Sequence, residues 1–175
     1  EIVVSTWGGT IYVLDRTGKP MAGWPKRLPL VPSCPLDPNL PKPPGDCMDL
    51  YHGWSRGAYA PPVLADMNKD GKPEIIQASF DGNVYVFLAD GTQLAGFPVR
   101  AHHPQASKTE RIITTPAVAD LNGDGIPEMV VGSNETLGGG DGTGPIFAID
   151  GRGMNTPGGK PYLPNWPITR TSVKL

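Results

Sequence analysis

The stretch EIIQASFDGNVYVFLADGTQLAGFPVR, residues 74–100, lies without a gap under EIVVSTWGGTIYVLDRTGKPMAGWPKR, residues 1–27. Glu1 falls on Glu74, Gly9 on Gly82, Tyr12 on Tyr85, Gly18 on Gly91 and Trp24-Pro25 on Phe97-Pro98. A third copy opens at EMVVGS (128–133), continues through PIFAID (145–150) and reaches NWPITR (165–170) after two insertions. A unit repeated in this way marks an architecture whose units bury their apolar sides against one another.

Within a unit the apolar residues come in short β-rich runs separated by turn residues. PPVLAD (61–66) or PAVAD (116–120) comes first, then EIIQAS or EMVVGS, then NVYVFL (83–88) or PIFAID, then FPVR (97–100) or WPITR (166–170). No run carries the 3.6-residue period over the length a helix needs. Four short antiparallel strands per unit, A to D in order, make the pattern of a β-propeller blade. The expected fold is all-β, with about three blades of a partial propeller. Repeat 1 spans 1–27, an insertion 28–59, repeat 2 60–100 and repeat 3 114–170. With 23 Gly and 21 Pro in 175 residues, the composition suits a chain of turns between strands.

Strands A and B are joined by an acidic loop that occurs twice, DMNKDGKPE (66–74) and DLNGDGIPE (120–128). Side-chain oxygens stand at positions 1, 3, 5 and 9: Asp66, Asn68, Asp70 and Glu74, then Asp120, Asn122, Asp124 and Glu128. Glycine at position 6, Gly71 or Gly125, permits a turn with positive φ. The position-7 carbonyl, of Lys72 or Ile126, can then face the same centre. Hard oxygens with no His or Cys select Ca²⁺ over zinc or copper, so two calcium sites are expected. An EF-hand needs a bidentate Glu at position 12 between helices. Here that position is Gln77 or Val131, inside a strand. The alternative is an Asp-Gly turn without an ion, in which three neighbouring carboxylates repel one another.

PAVADLNGDGIPEMVVGS, PPVLADMNKDGKPEIIQAS and the DGNVYVFLADGTQLAGFP tail resemble FG-GAP (VCBS-type) repeats, found in integrin-α-like propellers and many bacterial surface proteins. The resemblance covers nearly the whole chain apart from its insertions. It implies the same calcium ligands at these positions. A propeller closes with roughly four to eight blades. The chain is therefore expected to be part of a longer one, with the remaining blades of the parent propeller as partners, or several chains to close a ring together.

Alternating strand directions place the A–B loops and C–D turns on one face, and the B–C loops and D–A connectors on the other. The insertion 28–59 and the glycine-rich NETLGGGDGTG (134–144) both fall on the face opposite the calcium loops. Long loops gathered there suggest a recognition surface, and integrin-type propellers bind ligands on that face. Tyr51, His52, Trp54 and Arg56, with Tyr59, suit a sugar or protein ligand. They can equally pack the insertion onto the blades. His52, His102 and His103 read as solvated loop residues. Cys34 and Cys47 flank a proline-rich loop that a disulfide would pin in an oxidising compartment; two reduced thiols are the alternative.

Other motifs lack their context. GWSRG (53–57) resembles a nucleophile elbow, but no strand precedes Ser55 and no helix follows it. GGGDGTG has no phosphate-loop ending. Trp24, Phe97 and Trp166 recur before proline at one blade position and are assigned to packing. A net charge of −2 and a pI of about 5.9 give no basic stripe for nucleic acid. No run reaches the ~18 apolar residues of a membrane span. The expected function is a non-catalytic calcium-binding module of a secreted or cell-surface protein, extracellular or periplasmic. It would act as an adhesion or ligand-binding scaffold. The alternatives are a lectin, or an accessory or catalytic propeller of a polysaccharide-degrading enzyme.

Overall fold

The computed structural model describes residues 1–29, 57–103, 111–133 and 144–169. These form three antiparallel sheets. The first holds β1 (Ile2–Ser5), β2 (Thr10–Leu14) and β3 (Lys26–Arg27) in that order. The second holds β4 (Val63–Ala65), β5 (Glu74–Ala78), β6 (Asn83–Phe87) and β7 (Val99–Arg100). The third holds β8 (Ala117–Ala119), β9 (Glu128–Gly132), β10 (Pro145–Ile149) and β11 (Ile168–Thr169). The strands fall on the runs read as A to D, and the sheets do not close into a barrel: they are blades of a partial propeller. The first sheet begins at strand position B, so the edge of β1 has no strand beside it among the described residues.

The repeat is visible in the register. Val3 pairs with Val13 in the first sheet and Ile76 with Val86 in the second, each pair 73 residues after its counterpart. The isolated bridges Leu14–Pro20 and Phe87–Gln93 repeat at the same offset. In the third sheet Ile149 bridges to Tyr162 instead, because the C–D turn is longer and contains a 3-10 turn at Gly153–Asn155.

The sheets stack face to face, and alternation along each strand decides which side chains meet. Ile11, Val13, Trp24 and Leu28 of the first sheet pack on Ile75, Tyr85 and Phe87 of the second. The other face of the second sheet presents Ile76, Ala78, Val84 and Val86 to Met129, Val131, Phe147 and Ile149 of the third. Strand β5 is covered on both sides, and all five of its residues are buried. Strand β1 is covered on one side only, leaving Ile2 and Val4 exposed.

The approach between sheets depends on a residue type. Gly23 has φ 83°, and a Cβ there would lie 1.8 Å from the Asp90 carbonyl oxygen of the next sheet. Gly96 has φ 93°, and its Cβ would lie 2.2 Å from the Arg152 carbonyl oxygen. Beside these glycines, Trp24 and Phe97 are buried at 7% and 8% exposure. In the third sheet the corresponding pair is Asn165, at φ 68°, and a half-buried Trp166.

Candidate metal centre

Each acidic loop joins the first strand of a sheet to the second, β4 to β5 and β8 to β9. The strand pairing anchors both ends: Ala65 is opposite Glu74, and Ala119 is opposite Glu128. Position 9 therefore sits on the strand while positions 1 to 8 form the loop. Gly71 and Gly125 both have φ 83°, which bends the chain back at position 6.

The polar side chains fold the loop around its own backbone. In the first loop Asp66 accepts from the Asp70 N–H through Oδ1 (3.1 Å) and from the Gly71 N–H through Oδ2 (2.9 Å). Asn68 Oδ1 accepts the Asp70 N–H at 2.8 Å, and Asp70 Oδ1 accepts the Lys72 N–H at 2.8 Å. Glu74 Oε2 accepts from Met67 (2.7 Å) and Asn68 (3.2 Å). The second loop closes in a similar way, with two donors changed. Asp120 accepts from Gly123 (2.7 Å) and Gly125 (2.8 Å), Asn122 from Asp124 (2.8 Å) and Asp124 from Ile126 (2.8 Å). Glu128 accepts from the Leu121 N–H at 2.7 Å and from Asn122 Nδ2 at 3.1 Å.

Glu74 and Glu128 are 1% and 0% exposed, so each loop draws a carboxylate into the protein. Burial pushes both carboxyls above the ordinary range. The loop N–H bonds work against that, and neighbouring carboxylates, Asp70 and Asp66 or Asp124 and Asp150, reinforce it. Among the described residues, no three His, Cys, Asp or Glu side chains are gathered closely enough to share one ion. The loop oxygens are turned toward backbone N–H groups instead. A carboxylate oxygen has two lone pairs, so an N–H on one leaves the other for a cation. The donor set, hard oxygens alone, fits a hard divalent ion.

The loops differ in their surroundings. The Arg152 guanidinium forks onto Asp150, with Nε 2.8 Å from Oδ1 and Nη2 2.7 Å from Oδ2. Nη2 also lies 2.9 Å from Asp124 Oδ2. Arg152 belongs to the C–D turn of the third sheet, so that turn and the A–B loop share one end of the blade. A cleft of about 390 Å³ runs between the second and third sheets there, lined by Met67, Lys69, Leu94, Ile126 and Arg152 among others. Neither Arg152 nor the close approach of Lys69 to the second loop is apparent from the loop motif. Arg152 does stand out once repeats are superposed on Gly91 and Gly153, because the second sheet has Asp90 in its place.

The opposite end carries aromatic residues. The Phe80 N–H donates to the Gly57 carbonyl at 2.9 Å, tying a B–C turn to a D–A connector. Tyr59 lies between Phe80 (ring centroids 4.9 Å) and Trp7 (5.9 Å), and the Arg111 guanidinium covers Phe80 at 4.7 Å. Trp7 is 61% exposed. Tyr51, His52, Trp54, Arg56, Cys34 and Cys47, with the ligand residues and disulfide expected of them, lie outside the described residues.

These sheets and loops define a β-propeller-like module. Residues 66–131, from the first oxygen of the first loop into strand β9, match the family model of the FG-GAP-like repeat. No curated protein matches the chain. Among the described residues no helix is long and apolar enough to cross a membrane.

Proposed function

We propose that the chain is a calcium-stabilised, non-catalytic propeller segment of a secreted or cell-surface protein, serving as a scaffold for adhesion or ligand binding. One observation carries the reading: two loops with identical oxygen spacing, each with a buried glutamate at its ninth position. Asp66, Asn68, Asp70 and Glu74, with the Lys72 carbonyl, would hold one Ca²⁺. Asp120, Asn122, Asp124 and Glu128, with the Ile126 carbonyl, would hold the other. One ion takes a loop's three carboxylates from −3 to −1, so binding contributes to folding free energy. The remaining blades of a longer propeller are the structural partners.

The ligand face is the one away from these loops, where Trp7, Tyr59 and Phe80 form an aromatic group beside Arg111. An exposed indole at one end of an aromatic group, with a guanidinium over the ring at the other, suits a glycan or a protein surface. This favours a lectin-like role over a polysaccharide-degrading one.

Thermal melting with Ca²⁺ and with chelator tests the calcium reading, alongside elemental analysis. Calcium is expected to raise the melting temperature and to be found at two ions per chain. An unchanged melt together with no bound calcium would overturn it. A glycan array run with wild type and Trp7→Ala tests the ligand face. The glycan assignment fails if neither protein retains a sugar.

A further inference from the structure

We propose that Arg152 is a resident counter-ion that lowers the cation affinity of 120–128. The guanidinium occupies Asp124 in the cation-free state, and a divalent ion must take that carboxylate from it. The inference rests on the calcium reading of the loops and concerns what sets the affinity of the second.

Arg152 is placed for this role before any ion arrives. Its fork onto Asp150, a residue only 5% exposed, fixes the guanidinium plane. Reaching Asp124 at 2.9 Å then costs little further side-chain freedom. The Asp124 contact is also sterically separate from loop closure, because the Ile126 N–H uses Oδ1 and Arg152 uses Oδ2. Lys69 of the first loop adds a second positive charge: its Nζ lies 2.7 Å from the point where a Cβ on Gly125 would stand.

The first loop has no such partner. Among the described residues no Lys or Arg pairs with Asp66, Asp70 or Glu74. The position equivalent to Arg152 is Asp90, and that equivalent to Asp150 is Leu88. The second sheet therefore has neither the guanidinium nor the carboxylate that would orient it. The loops differ in other charges as well: the first contains Lys69 and Lys72, and Asp150 lies near Glu128 of the second. The effect of Arg152 is separate from these, because a cation at the second loop must take Asp124 from a positive charge held beside it.

Terbium luminescence titration of the 175-residue chain tests this, with Asp66→Ala and Asp120→Ala assigning each step to a loop. Asp66→Ala leaves the second loop to titrate, and Asp120→Ala leaves the first. Arg152→Gln should tighten binding at the second loop roughly twofold to fivefold, the range open to a partly exposed ion pair, and leave the first unchanged. A transplant protects the test against a variant that fails to fold. Leu88→Asp with Asp90→Arg should weaken the first loop. No response to either change overturns the proposal while leaving the calcium reading intact. No terbium at either loop overturns both.

Discussion

The indole N–H of Trp24, in the first sheet, donates to the carbonyl oxygen of Ala89, in the turn of the second, at 2.8 Å. The same ring meets Phe87 edge-on at 5.8 Å. One side chain thus combines apolar burial with a directed bond across the gap between sheets. Trp24→Phe keeps most of the burial and leaves the Ala89 carbonyl without this donor. The expected loss is about 1–3 kcal/mol in urea denaturation. A variant as stable as wild type would show that the bond contributes nothing.

Two glycines with nearly the same backbone test the close approach of the sheets. Gly23 has φ 83° and faces the Asp90 carbonyl, whereas Gly18 has φ 81° with nothing within 4 Å of its Cβ position. An alanine at either site carries the left-handed cost of roughly 1–2 kcal/mol. Only Gly23→Ala also forces the sheets apart, adding about 1–3 kcal/mol. Equal melting temperatures for the two variants would contradict the close packing.

Tyr85 and Asp81 form a buried pair, with the phenol donating to Oδ2 at 2.6 Å. Burial first, and then the bond to Asp81, raise the phenol well above its ordinary value of 10.0. The unfolded chain therefore gives up this proton before the folded one does. The contribution to stability is complete below about pH 10 and is lost as the pH climbs toward the raised folded value. Tyr85→Phe should cost about 1–3 kcal/mol near neutrality by leaving Oδ2 of a buried carboxylate without its donor, while Oδ1 keeps the Asn83 N–H. It should also flatten the alkaline decline, as read from unfolding curves between pH 9 and 11.

Glu74→Gln separates the charge at position 9 from its shape. The amide oxygen can still accept from Met67 and Asn68, so the loop should close. Without cation the variant should melt no lower than wild type, because a buried like-charged group has been removed. The calcium-induced rise should shrink, since one anionic ligand is gone. An undiminished rise would take Glu74 out of the ligand set.

Much of the fold was legible because repetition lets one segment check another. The strands of the second and third sheets fall on runs that look alike, and the turns between them carry glycine at matching places. The loop oxygens were legible for the same reason. Contacts between units were not. Arg152 is one charged residue in a turn until folding sets it beside Asp124, 28 positions earlier. Gln77 reads as a polar interruption where Val4 and Val131 stand. It is nonetheless fully buried, with Nε2 donating to the Ala60 and Ala78 carbonyls at 2.9 and 2.8 Å. Lys69 at φ 62° is equally unannounced, because the second loop has Gly123 there and lysine carries no sign of a left-handed backbone.

Equal steps can continue indefinitely unless something in them changes. Gly23 and Gly96 allow the first two steps to be equal, and Asn165 brings a carbon into the space that both leave empty. A further sheet set on the third at the same spacing would meet that carbon where the first two steps meet only hydrogen. The side chain at 165 is thus the place where an otherwise uniform stack would change pitch.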